Sequence, residues 1–140
     1  MTNEELFLEA KKAREHAYAP YSHFKVGAAL ETGSGKIYHG CNIENAAYTP
    51  TNCAERTAFF KAVYEGEREF IRIAIAGGAD GSDAFGMCAP CGVCCQVMRE
   101  FCDPEKFQII LANGKGNYVQ MTLKEVLPYG FGPENLKSKR

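Results

Sequence analysis

The sequence predicts an α/β fold: a mixed sheet of roughly five strands covered by helices in three layers, α/β/α. Two observations predict it. Apolar residues recur at helical spacing near the N-terminus and switch to period two from Phe24. Compact apolar runs then alternate with capped helical stretches. Elements ordered in this way pack as a sheet between helices. No segment repeats and no linker intervenes, so positions 1–140 are expected to form one domain.

Thr2 and Glu5 have the spacing of a capping box, and Leu6, Ala10, Ala13 and Ala17 continue a helix that Pro20 stops. Phe24, Val26, Ala28 and Leu30 alternate as a strand with one buried face. The Gly33-Ser34-Gly35 turn joins it to a second strand, Ile37 to Cys41, and a loop runs from Asn42 to Asn52. Asn52 and Glu55 can cap a second helix ending near Tyr64. Phe70 to Ala76 reads as a buried strand, Gly77 to Ala89 as a loop, and Pro90 to Phe101 as a helix opened by proline. Phe107 to Ala112 and Tyr118 to Met121 flank an Asn/Gly-rich connection, a hairpin or a short crossover. Thr122 and Glu125 start a last short helix ended by Pro128, which makes four helices, and Lys137-Ser138-Lys139-Arg140 reads as a solvated tail.

Composition narrows the function. A net charge of −1 offers no track for a nucleic-acid backbone. The apolar runs are too short to span a membrane, and Met1 to Lys12 lacks the form of a secretory signal. The cysteines number seven, an odd count, and two of them form a CxxC. Metal binding in a reducing, cytoplasmic compartment is therefore expected rather than disulfides.

The chemistry is concentrated in Cys53-Ala54-Glu55 and Pro90-Cys91-Gly92-Val93-Cys94. Three thiolates can hold zinc and leave one tetrahedral position for water. A nearby carboxylate can then move that water's protons. Cys91 and Cys94 share a helix face, whereas Cys53 and Glu55 converge only on an ion lying off a helix end. The ion is therefore expected between two helix N-termini, whose partial positive charge favours thiolate. Arg56 is a permanent cation placed to offset the thiolate charge. Two blander readings remain open here. Glu55 could complete a capping box with Asn52, and Cys41, Cys88, Cys95 or His39 could supply the fourth ligand of a structural zinc site. His16, His23 and His39 follow no ligand spacing, and Cys41, Cys88 and Cys102 read as small buried hydrophobes.

Four segments together resemble the small homotetrameric zinc-dependent cytidine deaminases. They are Phe24-Lys25-Val26-Gly27-Ala28-Ala29-Leu30, Cys41-Asn42-Ile43-Glu44-Asn45-Ala46-Ala47-Tyr48, Cys53-Ala54-Glu55-Arg56-Thr57-Ala58 and Pro90-Cys91-Gly92-Val93-Cys94. The resemblance implies hydrolysis of cytidine or 2′-deoxycytidine to the uracil nucleoside and ammonia, with one zinc per subunit and active sites shared within a homotetramer. It implies zinc on Cys53, Cys91 and Cys94, and Glu55 as the proton shuttle. It also implies nucleoside binding by Phe24, Asn42, Ile43, Glu44 and Ala54, with Phe131 contributed by a neighbouring subunit. Phe24 also heads a core-facing alternation, so a purely structural role stays open for it. Cys95 departs from the arginine common in the family, which alters the charge balance near the metal.

The nearest competing enzyme is a blasticidin S deaminase, against which the Asn42 to Asn45 block argues. A nucleic-acid deaminase would need a basic track. A zinc-stabilised binding module would need four protein ligands and would show no turnover.

Overall fold

The computed structural model describes residues 1–82 and 85–137. Its centre is one five-stranded sheet built from β1 (Phe24–Thr32), β2 (Ile37–Cys41), β3 (Phe70–Ala79), β4 (Gln108–Ala112) and β5 (Tyr118–Thr122). The strand order is β2-β1-β3-β4-β5. The β3–β4 pair is parallel and the other three are antiparallel, so the sheet is mixed as expected. The connection from β4 to β5 is a hairpin, which decides the alternative left open by the sequence.

Helix α1 (Asn3–Arg14) covers one face, where Leu6, Phe7 and Ala10 pack with Ala29, Ala74, Ala76 and Ile110. Helices α2 (Ala54–Tyr64) and α3 (Gly92–Phe101) cover the other, around Phe59, Ile73, Ile75, Met98 and Leu111. Period-two alternation along β1 sends Ala28 and Leu30 to the second core and Ala29 to the first. Three layers result.

Several boundaries differ from expectation, each for a tertiary reason. The capping box of Thr2 with Glu5 forms, but α1 ends at Arg14 rather than near Ala17. Tyr18 N–H instead donates to Asn42 O at 2.9 Å, and Tyr18 bridges to Ile43, which draws the chain out of the helix. Strand β3 runs through Gly77 and Gly78 to Ala79, because β1 pairs with it residue by residue as far as Phe24. Cys53, not Asn52, is the N-cap of α2, and Asn52 turns its amide to Thr57 Oγ1 at 3.1 Å. The Asn52–Glu55 capping box is therefore absent. Pro90 lies outside α3, whose N-cap is Cys91. After α4 (Leu123–Val126), α5 (Pro133–Lys137) is a helix the sequence reading missed. The tail expected from Lys137 onward falls, from 138 to 140, outside the described residues.

Candidate metal centre and active site

Two helix N-termini meet over one edge of the second core. Cys53 caps α2, Cys91 caps α3, and Cys94 lies in the first turn of α3. The three sulfurs lie within 4.8 Å of one another, with Cys53 Sγ 3.9 Å from Cys91 Sγ. Sulfurs around a tetrahedral zinc at about 2.3 Å stand about 3.8 Å apart, so the donor set fits that ion. Among the described residues no other His, Cys, Asp or Glu completes the group. Cys95, weighed as a fourth ligand, turns its sulfur to Pro90 O at 3.7 Å and is 2% exposed in the core.

The convergence depends on close packing beneath it. A Cβ on Gly40 of β2 would lie 2.2 Å from Ala54 O and 2.6 Å from Ala58 N, so α2 rests directly on the strand backbone. Thr57 adds a tie that the sequence reading did not single out. Its Oγ1 lies 3.0 Å from Cys41 O and 3.2 Å from Cys53 O, joining the end of β2 to the cap of α2. A hydroxyl one turn after a cap cysteine was the available signal.

The electrostatics of the metal-free cluster follow from contact and burial. Cys94 donates to Cys53, and Arg56 Nη2 donates to Cys53 Sγ at 3.3 Å, lowering the Cys53 thiol to about 5. The same sulfur–sulfur hydrogen bond, together with burial, pushes Cys94 up, so Cys53 is the thiolate of the pair. The Cys53 sulfur in turn holds the Arg56 guanidinium above its ordinary pKa. Arg56 Nε is buried with no hydrogen-bond partner among the described residues. Glu55, in the first turn of α2, is 5% exposed. Burial, reinforced by the charge of Cys53, pushes its carboxyl up to about 7.

The loop after β2 brings up a second group. Asn42 accepts from Val26 N–H through Oδ1 and donates to Phe24 O through Nδ2, both at 2.9 Å, which staples it to the start of β1. Glu44 accepts from Tyr21 N–H at 3.0 Å and Ser22 N–H at 3.1 Å, and Ser22 Oγ bonds it too. The Ser22 hydroxyl is the main cause holding the Glu44 carboxyl below its ordinary value. Ser22 was not anticipated, because its role needs the loop to fold back onto residues 21 and 22. Ile43 exchanges backbone hydrogen bonds with Asn52 at 2.9 and 3.0 Å. Ala54 is wholly buried, whereas Phe24 at the mouth of β1 is 43% exposed. Phe131 stands apart: Gln96 Nε2 of α3 donates to its carbonyl at 2.9 Å, and its ring is 55% exposed.

A mixed sheet with three cysteine sulfurs spaced for a metal at two helix N-termini, and a buried carboxyl beside them, has the make-up of a zinc-dependent hydrolytic site. Comparison with known proteins makes the class specific. Residues 1–110 match the family model described as the cytidine and deoxycytidylate deaminase zinc-binding region, and the chain belongs to that family. It is 52% identical over 136 residues to a cytidine deaminase of Sporosarcina psychrophila, covering 97% of this chain and 96% of that one. It is 46% identical over 136 residues to a cytidine deaminase of Halalkalibacterium halodurans, covering 97% and 98%. A crystal structure of the cytidine deaminase from Burkholderia pseudomallei superposes with a TM-score of 0.84 at 49% identity, covering 94% of this chain and all of that one.

Proposed function

We infer that the chain deaminates cytidine and 2′-deoxycytidine hydrolytically, consuming water and releasing ammonia and the uracil nucleoside. The observation that carries this reading is the Glu55 carboxyl, buried, with a pKa of about 7, beside three sulfurs spaced for zinc. Zinc held by Cys53, Cys91 and Cys94 would supply Lewis-acid activation of a water, lowering its pKa toward about 7. In the proposed sequence Glu55 takes the water's proton and delivers it to N3 of the pyrimidine, which makes C4 electrophilic. After the water oxygen adds to C4, Glu55 carries the second proton to the exocyclic amine, which leaves as ammonia. A carboxyl titrating near neutrality serves both directions of transfer.

Asn42 and Glu44 are proposed to hold the ribose hydroxyls, with Phe24 against the nucleoside and Ile43 and Ala54 lining the same site. Supporting this, the hydrogen bonds to β1 and to Ser22 orient the Asn42 amide and the charged Glu44 carboxylate while leaving lone pairs free. Arg56 is proposed to offset the charge of the three thiolates. We propose a homotetramer in which Phe131 enters a neighbour's site. The exposed Tyr21 and Tyr48 rings, 6.3 Å apart edge to face, offer apolar surface beside the nucleoside site for such contacts. The proposed setting is pyrimidine salvage in the cytoplasm. Among the described residues no helix is long and apolar enough to cross a membrane.

Ammonia release from cytidine, deoxycytidine, cytosine and a short cytidine-containing oligonucleotide tests the reading. Both nucleosides should react well. Cytosine should react poorly, because the polar groups awaiting ribose are then left unpartnered. Equal rates on cytosine would remove Asn42 and Glu44 from the site, and preference for the oligonucleotide would overturn the substrate class.

A further inference from the structure

On the core-facing side of β1, the Phe24 ring shares its seat with a thiol that has no part in the metal cluster. A Cβ on Gly77 of β3 would lie 2.6 Å from Cys88 Sγ, 3.0 Å from Cys88 Cβ and 3.1 Å from Phe24 Cε1. The space that a side chain at 77 would fill is thus occupied jointly by the sulfur and the ring edge. Gly77 lies opposite Val26 in the ladder, and Phe24 pairs with Ala79 two residues further, so ring and sulfur both rest on the rim of the β1–β3 pair. Cys88 is half-buried and packs against the second core, as does Cys53. Burial pushes its thiol up to about 11, and the charges of Glu55 and Cys53 add to the rise. The group is therefore a neutral, polarizable wedge facing the candidate catalytic pocket, not a nucleophile.

We propose that Cys88, seated on Gly77, is a positioning residue for Phe24: it fixes the pose of the ring that receives the nucleoside, and so sets substrate affinity rather than the chemical step. The inference rests on the reading of Phe24 as a nucleoside contact. Gly77 is part of the device, because any side chain there would evict the sulfur, the ring or both. The thiol suits the position because it fills the gap behind the ring while presenting no charge to Glu55. A ring left without its backing samples other poses, and productive binding then requires one of them to be selected again.

The test uses the zinc-loaded full chain. Cys88→Ala should raise the KM for cytidine roughly tenfold, within the range that a displaced positioning group costs. Its kcat should stay within about twofold and its zinc content should be full. Cys88→Val, which refills the space behind the ring, should restore most of the KM. In a Phe24→Ala background, Cys88→Ala should change KM no further, since a residue acting through another shows no independent effect. Additive losses, or a fall in kcat or zinc with KM intact, would overturn the proposal. A second readout does not depend on turnover. The chain contains no tryptophan, so Phe24→Trp introduces a single indole whose emission the neighbouring thiol quenches. Adding Cys88→Ala to Phe24→Trp should brighten it, and unchanged emission would mean that ring and sulfur do not meet. If Phe24→Ala alone left KM untouched, the substrate role of Phe24 would fall, and with it the positioning role. The indole signal would still report whether the contact exists.

Discussion

At the scale of single residues, burial separates groups that the sequence leaves equivalent. Glu55 and Glu44 are both carboxylates near the candidate site, yet one is pushed up to about 7 by desolvation and the other is held down by Ser22. The first can exchange protons at neutral pH and the second remains an anion. Glu55→Gln should therefore keep zinc and fold but lose activity by at least about 10² to 10⁴, since one amide replaces every proton transfer. Wild-type turnover in a zinc-loaded variant would refute the proton-shuttle role.

The same shift has a consequence for stability. With a folded value near 7 against an ordinary 4.5, Glu55 favours folding most below pH 4.5. That contribution is lost as pH rises through 7. In chelated protein the stability of Glu55→Gln relative to wild type should thus grow between pH 5 and 8, by ~3 kcal/mol. Parallel melting curves at all pH values would contradict the burial of an ionising carboxyl.

Arg56 is the third residue whose role depends on contact. It donates to the Cys53 sulfur at 3.3 Å while its Nε lies buried with no hydrogen-bond partner among the described residues. Arg56→Ala should weaken zinc retention against a chelator by about 10- to 100-fold, the usual cost of losing a group that supports ligands. Unchanged zinc content would show that the helix N-termini suffice. An arginine at 95, the residue common in the resembling family, would not simply substitute. Cys95 is 2% exposed, and its sulfur faces Pro90 O rather than the cluster.

At the scale of elements, the site is held by how closely α2 approaches β2. Gly40 makes that approach possible, because the atoms a Cβ would strike are backbone and cannot swing aside. Gly40→Ala should cost about 1–3 kcal/mol by overpacking. It should also reduce zinc affinity, because α2 carries Cys53. Gly92→Ala, in the first turn of α3 where an added Cβ meets nothing within 4 Å beyond its own helix backbone and chain neighbours, is the control and should lower neither melting temperature nor zinc affinity. Equal effects from both would mean that the approach of helix to strand does not position the cluster.

At the scale of the whole molecule, the apolar surface is uneven. Tyr18 and Tyr21, and Ile43 and Tyr48 on the loop of Asn42 and Glu44 to which they bond, are all about half or more exposed, and Phe131 projects from a tail held by α3. Arg99 of α3 pairs with Glu134, and a Cβ on Gly132 would lie 2.3 Å from Arg99 Nη1, so this tail is tightly seated. An aromatic ring presented to solvent from a well-held backbone suits burial in another subunit. Sedimentation should give a species near four times 15.4 kDa. Phe131→Ala should raise the KM for cytidine with little change in melting temperature. A fully active monomer at low concentration would overturn the shared-site proposal.

Local chemistry alone determined much of this protein. The Thr2–Glu5 and Thr122–Glu125 boxes, the period-two run from Phe24 and the CxE and PCxxC spacings act over a few residues, so they are readable before any folding. Tertiary structure decided where such local signals compete. Asn52 was the expected cap of α2, but Cys53 took the place while Thr57 engages the Asn52 amide. Helix α1 stopped at Arg14 because Tyr18 pairs with a loop two dozen residues away. The pKa of Glu55, the anchoring of Glu44 by Ser22 and the joint seat of Phe24 and Cys88 on Gly77 depend on desolvation and contact between distant segments. Spacing along a chain encodes neither, because both exist only once the sheet and its helices have closed around them.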